Sequence, residues 1–124
     1  MKKTKITIKW LEKPESKDYP AASSYLRLIY ENKAADKIVA RLKIAPMTAF
    51  KSKDIFRAAD LEMLPGSNFH VQADRAKIKA GKRVSPILLV REQNSGRVII
   101  ADGYHRLCAV YSFDEDASIP CRIV

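Results

Sequence analysis

The chain has 124 residues, 47% of them hydrophobic, so it is long enough to bury a core and we expect one domain over residues 1–124. Its net charge of +9 favours an anionic partner such as a nucleotide, a nucleic acid or an acidic protein surface. The sequence contains neither an apolar run of membrane-spanning length nor an apolar signal segment, which excludes a membrane protein and predicts a cytoplasmic location. The oligomeric state stays open.

The first 68 residues are predicted to be mainly helical. Alternation of apolar and polar residues over 5–11 predicts a half-exposed strand. Amphipathic patterns then predict three helices, over residues 21–30, 34–44 and 50–64. Ser52 is expected to cap the third helix. The residues expected to face inward in the first helix are Tyr25, Leu28 and Ile29.

Residues 69–124 are predicted to form a mixed α/β portion, which makes the fold class α+β with a small mixed sheet. The loop at 65–68 separates it from the helical portion. The elements expected after that loop are a short strand at 69–72, a helix at 73–80, a buried strand at 87–91, a turn at 93–96, a strand at 98–100, a helix ending near 112 and a closing strand at 119–124.

The stretch Asp102-Gly103-Tyr104-His105-Arg106 is the main candidate site. A strand that enters a helix through a glycine leaves backbone amides at the helix start without intrahelical partners, where the macrodipole also favours negative charge. Arg106 can add a bidentate fork for phosphate oxygens, and His105 a donor near the pH at which it changes charge. We therefore predict a phosphate site here. The alternative is that Asp-Gly is a tight turn and that the His and Arg side chains are solvated.

Other groups with chemical potential are given mainly structural roles. Cys108 and Cys121 form no metal spacing and are expected to be reduced and buried. A run of basic residues has two interpretations, the lining of a nucleotide or nucleic-acid groove or the exposed face of a helix. Its members are Arg75, Lys77, Lys79, Lys82 and Arg83.

The segment from about Phe69 to Val124 resembles the ParB/sulfiredoxin superfamily. The resemblance rests on S-P-I-L-L-V, on I-I-A-D-G-Y-H-R-L-C-A and on the final I-P-C-R-I-V. It implies a nucleotide, namely ATP, ADP or CTP with Mg²⁺, whose phosphates lie at the helix start after Gly103. Sulfiredoxins carry a nucleophilic cysteine where this chain has Tyr104, which argues against that reductase activity.

Within the superfamily, the chain is most similar to the group with Asp-Gly-His-His-Arg, which includes free serine kinases and small stand-alone ParB-like proteins. The resemblance implies that Asp102 and His105 are candidate catalytic residues and that Asp102 is a candidate metal ligand. The candidate phosphate-binding residues are Gly103, Tyr104, His105, Arg106 and Ser85.

Three functions stay open from the sequence. The first is a nucleotide-binding ParB-like protein that transfers a phosphoryl group or hydrolyses the nucleotide. The second is a nucleic-acid-binding protein or nuclease of the ParB-like class. The third is a regulatory protein that retains the fold without the chemistry, so the sequence leaves open whether the chain is an enzyme.

Overall fold

The computed structural model describes residues 6–124, which form a mixed α+β fold and confirm the predicted fold class. The helices are α1 (Asp18–Leu26), α2 (Asn32–Ile44), α3 (Ser52–Ala59), α4 (Phe69–Lys79) and α5 (Tyr104–Phe113). The strands are β1 (Thr48–Lys51), β2 (Ile87–Glu92), β3 (Arg97–Asp102) and β4 (Ser118–Ile123). The predicted strands and helix over the last third of the chain and the second predicted helix are confirmed, with bounds shifted by one or two residues.

The strands form one mixed sheet in the order β1-β4-β2-β3. β2 and β3 form an antiparallel hairpin, β2 and β4 are parallel, and β1 pairs with β4 antiparallel. β2 is buried on both faces, which explains its continuous apolar run. Ile87 and Leu89 face one core cluster, whereas Leu88 and Val90 face the other.

Helices cover both faces of the sheet. One face packs against α3, α4 and α5, through residues such as Phe56, Ile78 and Leu107. The other face packs against α1 and α2, through Leu26 and Leu42. The α5 helix thus starts just after the end of β3, and its apolar side packs in the core that it shares with α3 and α4. This packing fixes the position of its first turn.

The predicted N-terminal strand is wrong over its described part; Lys5 lies outside the described residues. Only Trp10 forms a bridge, to Val84. The amide of Val84 donates to the Lys9 carbonyl at 2.8 Å and the Leu11 amide donates to Val84 O at 2.9 Å. The pairing cannot extend along the second segment because Pro86, two residues after Val84, has no amide proton.

The first predicted helix was placed too late in the chain. It begins at Asp18, whose carboxylate accepts a hydrogen bond from the Glu15 amide at 3.1 Å, and Pro20 is tolerated in its first turn. The helix ends at Leu26. The inward face is consequently Tyr19, Ala22 and Leu26, whereas the residues predicted to face inward, Tyr25, Leu28 and Ile29, are exposed.

The third predicted helix is shorter than expected, because residues 48–51 form β1 and α3 ends at Ala59. Asp60, with φ of +53°, terminates α3. Ser52 lies inside the helix and does not cap it. Its hydroxyl donates to the carbonyls of Asp114 and Glu115, at 3.2 and 2.6 Å, and ties α3 to the turn before β4.

The strand predicted at 69–72 is the start of α4. Asn68 caps this helix, since its side-chain oxygen accepts from the amides of His70 at 3.0 Å and Val71 at 3.2 Å. His70 therefore stands in the first turn of a helix. No helix within residues 6–124 has the length and apolar character needed to cross a membrane.

Candidate functional site

The turn between β3 and α5 depends on the glycine at its centre. Gly103 has φ of +107°, a left-handed conformation that residues with a Cβ rarely adopt. A Cβ built there would lie 2.9 Å from Ile87 Cβ and closer still to Ile87 Cγ2. The chain therefore turns directly against β2, and α5 starts at once.

The first turn of α5 keeps free backbone donors. Its first intrahelical bond joins the Leu107 amide to Gly103 O at 2.9 Å. The amides of residues 104–106 precede that bond and have no intrahelical acceptor. Among residues 6–124, no side chain caps this end. The donors and the positive end of the helix dipole thus point in the same direction, as the sequence predicted.

A cavity of about 240 Å³ opens at these amides. We call it the α4–α5 cavity. One wall is the segment 102–106, and the other is a face of α4 with His70, Asp74 and Lys77, at spacings of four and three residues. Lys77 is the member of the basic run that lines this cavity. The structure therefore brings together the predicted residues Asp102, Gly103, Tyr104, His105 and Arg106 with α4 residues of which two, His70 and Asp74, were not predicted.

Two histidines face each other in the cavity. The ring centroids of His70 and His105 are 4.8 Å apart. Burial lowers the pKa of His105, the proximity of His70 lowers it further, and Asp74 opposes the shift. Without a bound anion, His105 is therefore more readily neutral than an ordinary histidine, and a phosphate would favour its charged form.

Arg106 is held by carboxylates of the protein itself. Its Nη2 lies 2.8 Å from an oxygen of Asp102 and 3.8 Å from an oxygen of Asp18, and donates to Pro86 O at 3.4 Å. The side chain is 18% exposed, and its Nε is buried without a partner in the described part of the chain. The guanidinium is thus fixed in place, with its charge partly balanced by these acids.

Ser85, a predicted phosphate ligand, does not line the α4–α5 cavity, but it lines a neighbouring cavity together with Arg106. Its hydroxyl donates to Asp18 and accepts from the Glu15 amide at 3.1 Å. It lines a small cavity of about 60 Å³ next to the α4–α5 cavity. Asp18 itself is only 3% exposed, and sequence reasoning missed it because its partners are 67 and 88 positions away in the chain.

Asp102 has an environment that disfavours its charged form. Burial raises its pKa, Arg106 counteracts the shift, and the nearby Asp18 carboxylate adds to it. Across residues 6–124, no group of three or more His, Cys, Asp or Glu side chains is arranged to hold a metal ion. Mg²⁺ usually takes one or two carboxylates together with phosphate oxygens and water. A nucleotide-bound Mg²⁺ at the single carboxylate of Asp102 stays a prediction.

Tyr104 is anchored to the segment that follows α3. Its hydroxyl donates to the Glu62 carbonyl, and burial raises its pKa. Cys108, one turn further along, is buried and free, and burial raises the pKa of its thiol. Neither residue has the environment of a reactive nucleophile.

Members of the basic run have different surroundings. The Arg75 guanidinium lies 4.1 Å from the Phe113 ring centre and donates to Ser112, while Arg83 donates to Trp10 O at 3.3 Å. These contacts tie two members of the run to neighbouring elements. Lys77 lines the α4–α5 cavity, and Arg83 lines the small cavity beside Ser85.

Comparison with known proteins gives no relative: no protein-family model, no curated protein and no solved structure matches this chain. The similarity to the ParB/sulfiredoxin superfamily accordingly stays a prediction, and the site must be interpreted from its own geometry.

Proposed function

We propose that this protein binds a phosphate-bearing small molecule, a nucleotide such as ATP, ADP or CTP, in the α4–α5 cavity. One observation carries the proposal: the uncapped amides at the start of α5 open into a cavity whose other wall supplies a lysine and a histidine. Helix starts of this kind are common anion sites because dipole and donors act together. The net charge of +9 supports the same class of ligand.

Each polar group has a part in this proposal. The amides of residues 104–106 donate to phosphate oxygens, Lys77 contributes a point charge, and the imidazoles of His70 and His105 donate when protonated. Arg106 orients Asp102 through the 2.8 Å contact. Asp102 would hold a nucleotide-bound Mg²⁺, whose role is to neutralise phosphate charge.

Catalysis is an extension of the binding proposal. Phosphoryl transfer and hydrolysis need positioning and charge neutralisation more than covalent help from the protein. The candidate catalytic groups are His105, which would contact the phosphate, and Asp102, which would act through the Mg²⁺. A cytoplasmic ParB-like kinase or nucleotide hydrolase is thus a hypothesis. It can be assayed once binding experiments have identified the nucleotide.

Isothermal titration calorimetry tests the binding proposal. ATP, ADP, CTP and inorganic pyrophosphate are titrated into the wild type and into Lys77→Ala. The control is Lys79→Ala, which removes the same side chain from the same helix outside the cavity. We expect Lys77→Ala to weaken binding roughly tenfold or more, as for a lost charge-assisted hydrogen bond, and the control to bind like the wild type. No heat with any of these anions at millimolar concentration contradicts the proposal.

Nucleic-acid binding, with or without nuclease activity, is the second candidate, and the net charge of +9 favours it. It predicts an affinity whose logarithm falls steeply with the logarithm of salt concentration. Nucleic-acid binding is excluded if the protein retains no DNA or RNA, or if the retention does not depend on salt concentration. If the Lys77 and His105 variants keep the biological function, the third candidate, a regulatory protein without chemistry, is favoured.

A further inference from the structure

A second, larger cavity adjoins the proposed phosphate site on the side of α1. It has a volume of about 460 Å³ and lies between Tyr25 of α1, Leu61 after α3, and the end of β3 at Ile100. We call it the ring groove. Its volume is within the range of roughly 300–1,000 Å³ typical of small-molecule sites.

The ring groove is continuous with the α4–α5 cavity. Asp102, Gly103, Tyr104 and His105 line both. The small cavity beside Ser85 shares Asp74, Lys77 and Arg106 with the α4–α5 cavity, and it shares no lining residue with the ring groove. The α4–α5 cavity therefore lies between an apolar compartment and a small compartment lined by basic side chains.

The walls of the ring groove suit a flat, apolar group. Tyr25 is 46% exposed and Leu61 is 44% exposed, although both are large apolar side chains. The Tyr25 hydroxyl has no hydrogen bond to any residue among 6–124, so no polar contact with these residues fixes the orientation of its ring. Aromatic side chains of this kind stack on nucleobases, and such stacking tolerates different bases.

The small compartment suits further negative charge. It is lined by Lys17, Lys77 and Arg83 together with Arg106, against the acids Glu15 and Asp74. A ligand that spans all three compartments would have a ring at one end and several phosphates at the other. A nucleoside di- or triphosphate has this shape, whereas inorganic phosphate or a sugar phosphate does not.

We propose that the ring groove binds the base of the nucleotide, that its first phosphate lies over the start of α5, and that further phosphates extend toward Lys77 and Arg83. This inference rests on the proposed function and adds the orientation of the ligand and the class to which it belongs. Tyr25 is assigned as the residue that stacks on the base. Leu61 forms the opposite wall.

Calorimetry with four probes separates this inference from the proposed function. Inorganic pyrophosphate and ribose 5-phosphate report the phosphate site alone, whereas AMP and ADP report the phosphate site and the ring groove. In the wild type we expect AMP to bind about tenfold or more tightly than ribose 5-phosphate. Equal affinities overturn the inference, provided that pyrophosphate binds; if pyrophosphate fails to bind, the proposed function is wrong and the inference falls with it.

Substitutions in the groove complete the test. Tyr25→Ala should lose about tenfold or more in AMP affinity and leave pyrophosphate affinity unchanged, and Tyr25→Phe should retain AMP binding. Leu61→Ser provides a second variant at the opposite wall, with the same expected split. Leu28→Ala is the control, since Leu28 is 84% exposed just after α1 and lines none of the three compartments. A Tyr25→Ala protein that binds both AMP and pyrophosphate like the wild type overturns the inference.

Discussion

Replacing Gly103 by alanine tests whether the turn into α5 has the geometry on which the site depends. The left-handed φ of +107° costs a residue with a Cβ about 1–2 kcal/mol. The new Cβ would also meet Ile87 Cβ at 2.9 Å, inside a buried core, and overpacking of this kind costs about 1–3 kcal/mol. The free energy of unfolding should therefore fall by about 2–5 kcal/mol, out of about 5–15 kcal/mol typical of a domain.

The chain offers a matched control in the β2–β3 turn. Gly96 also has a positive φ, of +72°, but nothing lies within 4 Å of the position of its Cβ. Gly96→Ala should therefore cost only the conformational part, about 1–2 kcal/mol. Urea denaturation followed by far-ultraviolet circular dichroism measures both variants. Equal losses of stability in the two variants would refute the close approach of the turn to Ile87.

Other features of the fold give further expectations. Asp18→Ala leaves buried hydrogen-bonding groups unpaired and should lower the free energy of unfolding by about 1–3 kcal/mol. The control Asp36→Ala removes an exposed ion pair and should lower it by less than about 1 kcal/mol. Equal losses for the two variants in urea denaturation would contradict the buried network around Asp18. Burial lowers the pKa of His105, so the unfolded chain takes up its proton more readily and stability should fall as the pH drops below about 6.5. His105→Ala should flatten that part of the pH profile of the unfolding midpoint, and a profile parallel to that of the wild type would refute the assignment. Burial raises the pKa of the Cys121 thiol to about 11 and also raises the pKa of the Cys108 thiol. Neither thiol should therefore react with a disulfide reagent near pH 8 until urea unfolds the chain. Fast reaction in the folded protein would contradict the burial of at least one of them.

The sequence predicted best those elements whose signal is local and strong. β2 and β3 are continuous apolar runs, and the Asp102-Gly103 pair marks an abrupt turn before an apolar helix face, so β3, the turn and α5 could all be placed. The uncapped start of α5 follows from that placement alone. Sequence reasoning was therefore sufficient to place the segment 102–106, which forms one wall of the candidate site.

The rest of the site depends on contacts between distant segments. His70 was assigned to a strand because Phe69–Gln72 is partly apolar, whereas Asn68 caps a helix that turns His70 toward His105. Asp18 pairs with Ser85 and Arg106, far along the chain, and no local pattern indicates such a contact. The face of α1 was wrong for a different, local reason: the hydrogen bond from the Glu15 amide to the Asp18 carboxylate starts the helix at Asp18.

Amide-resolved NMR during titration with inorganic pyrophosphate tests the central claim most directly, because it observes the backbone donors at the start of α5. The account predicts saturable shifts of the amides of residues 104–106, together with those of Lys77 and its neighbours in α4, and a weaker apparent affinity in Lys77→Ala. Amides of residues 104–106 that stay unchanged at saturating pyrophosphate, or shifts confined to other parts of the chain, would contradict it.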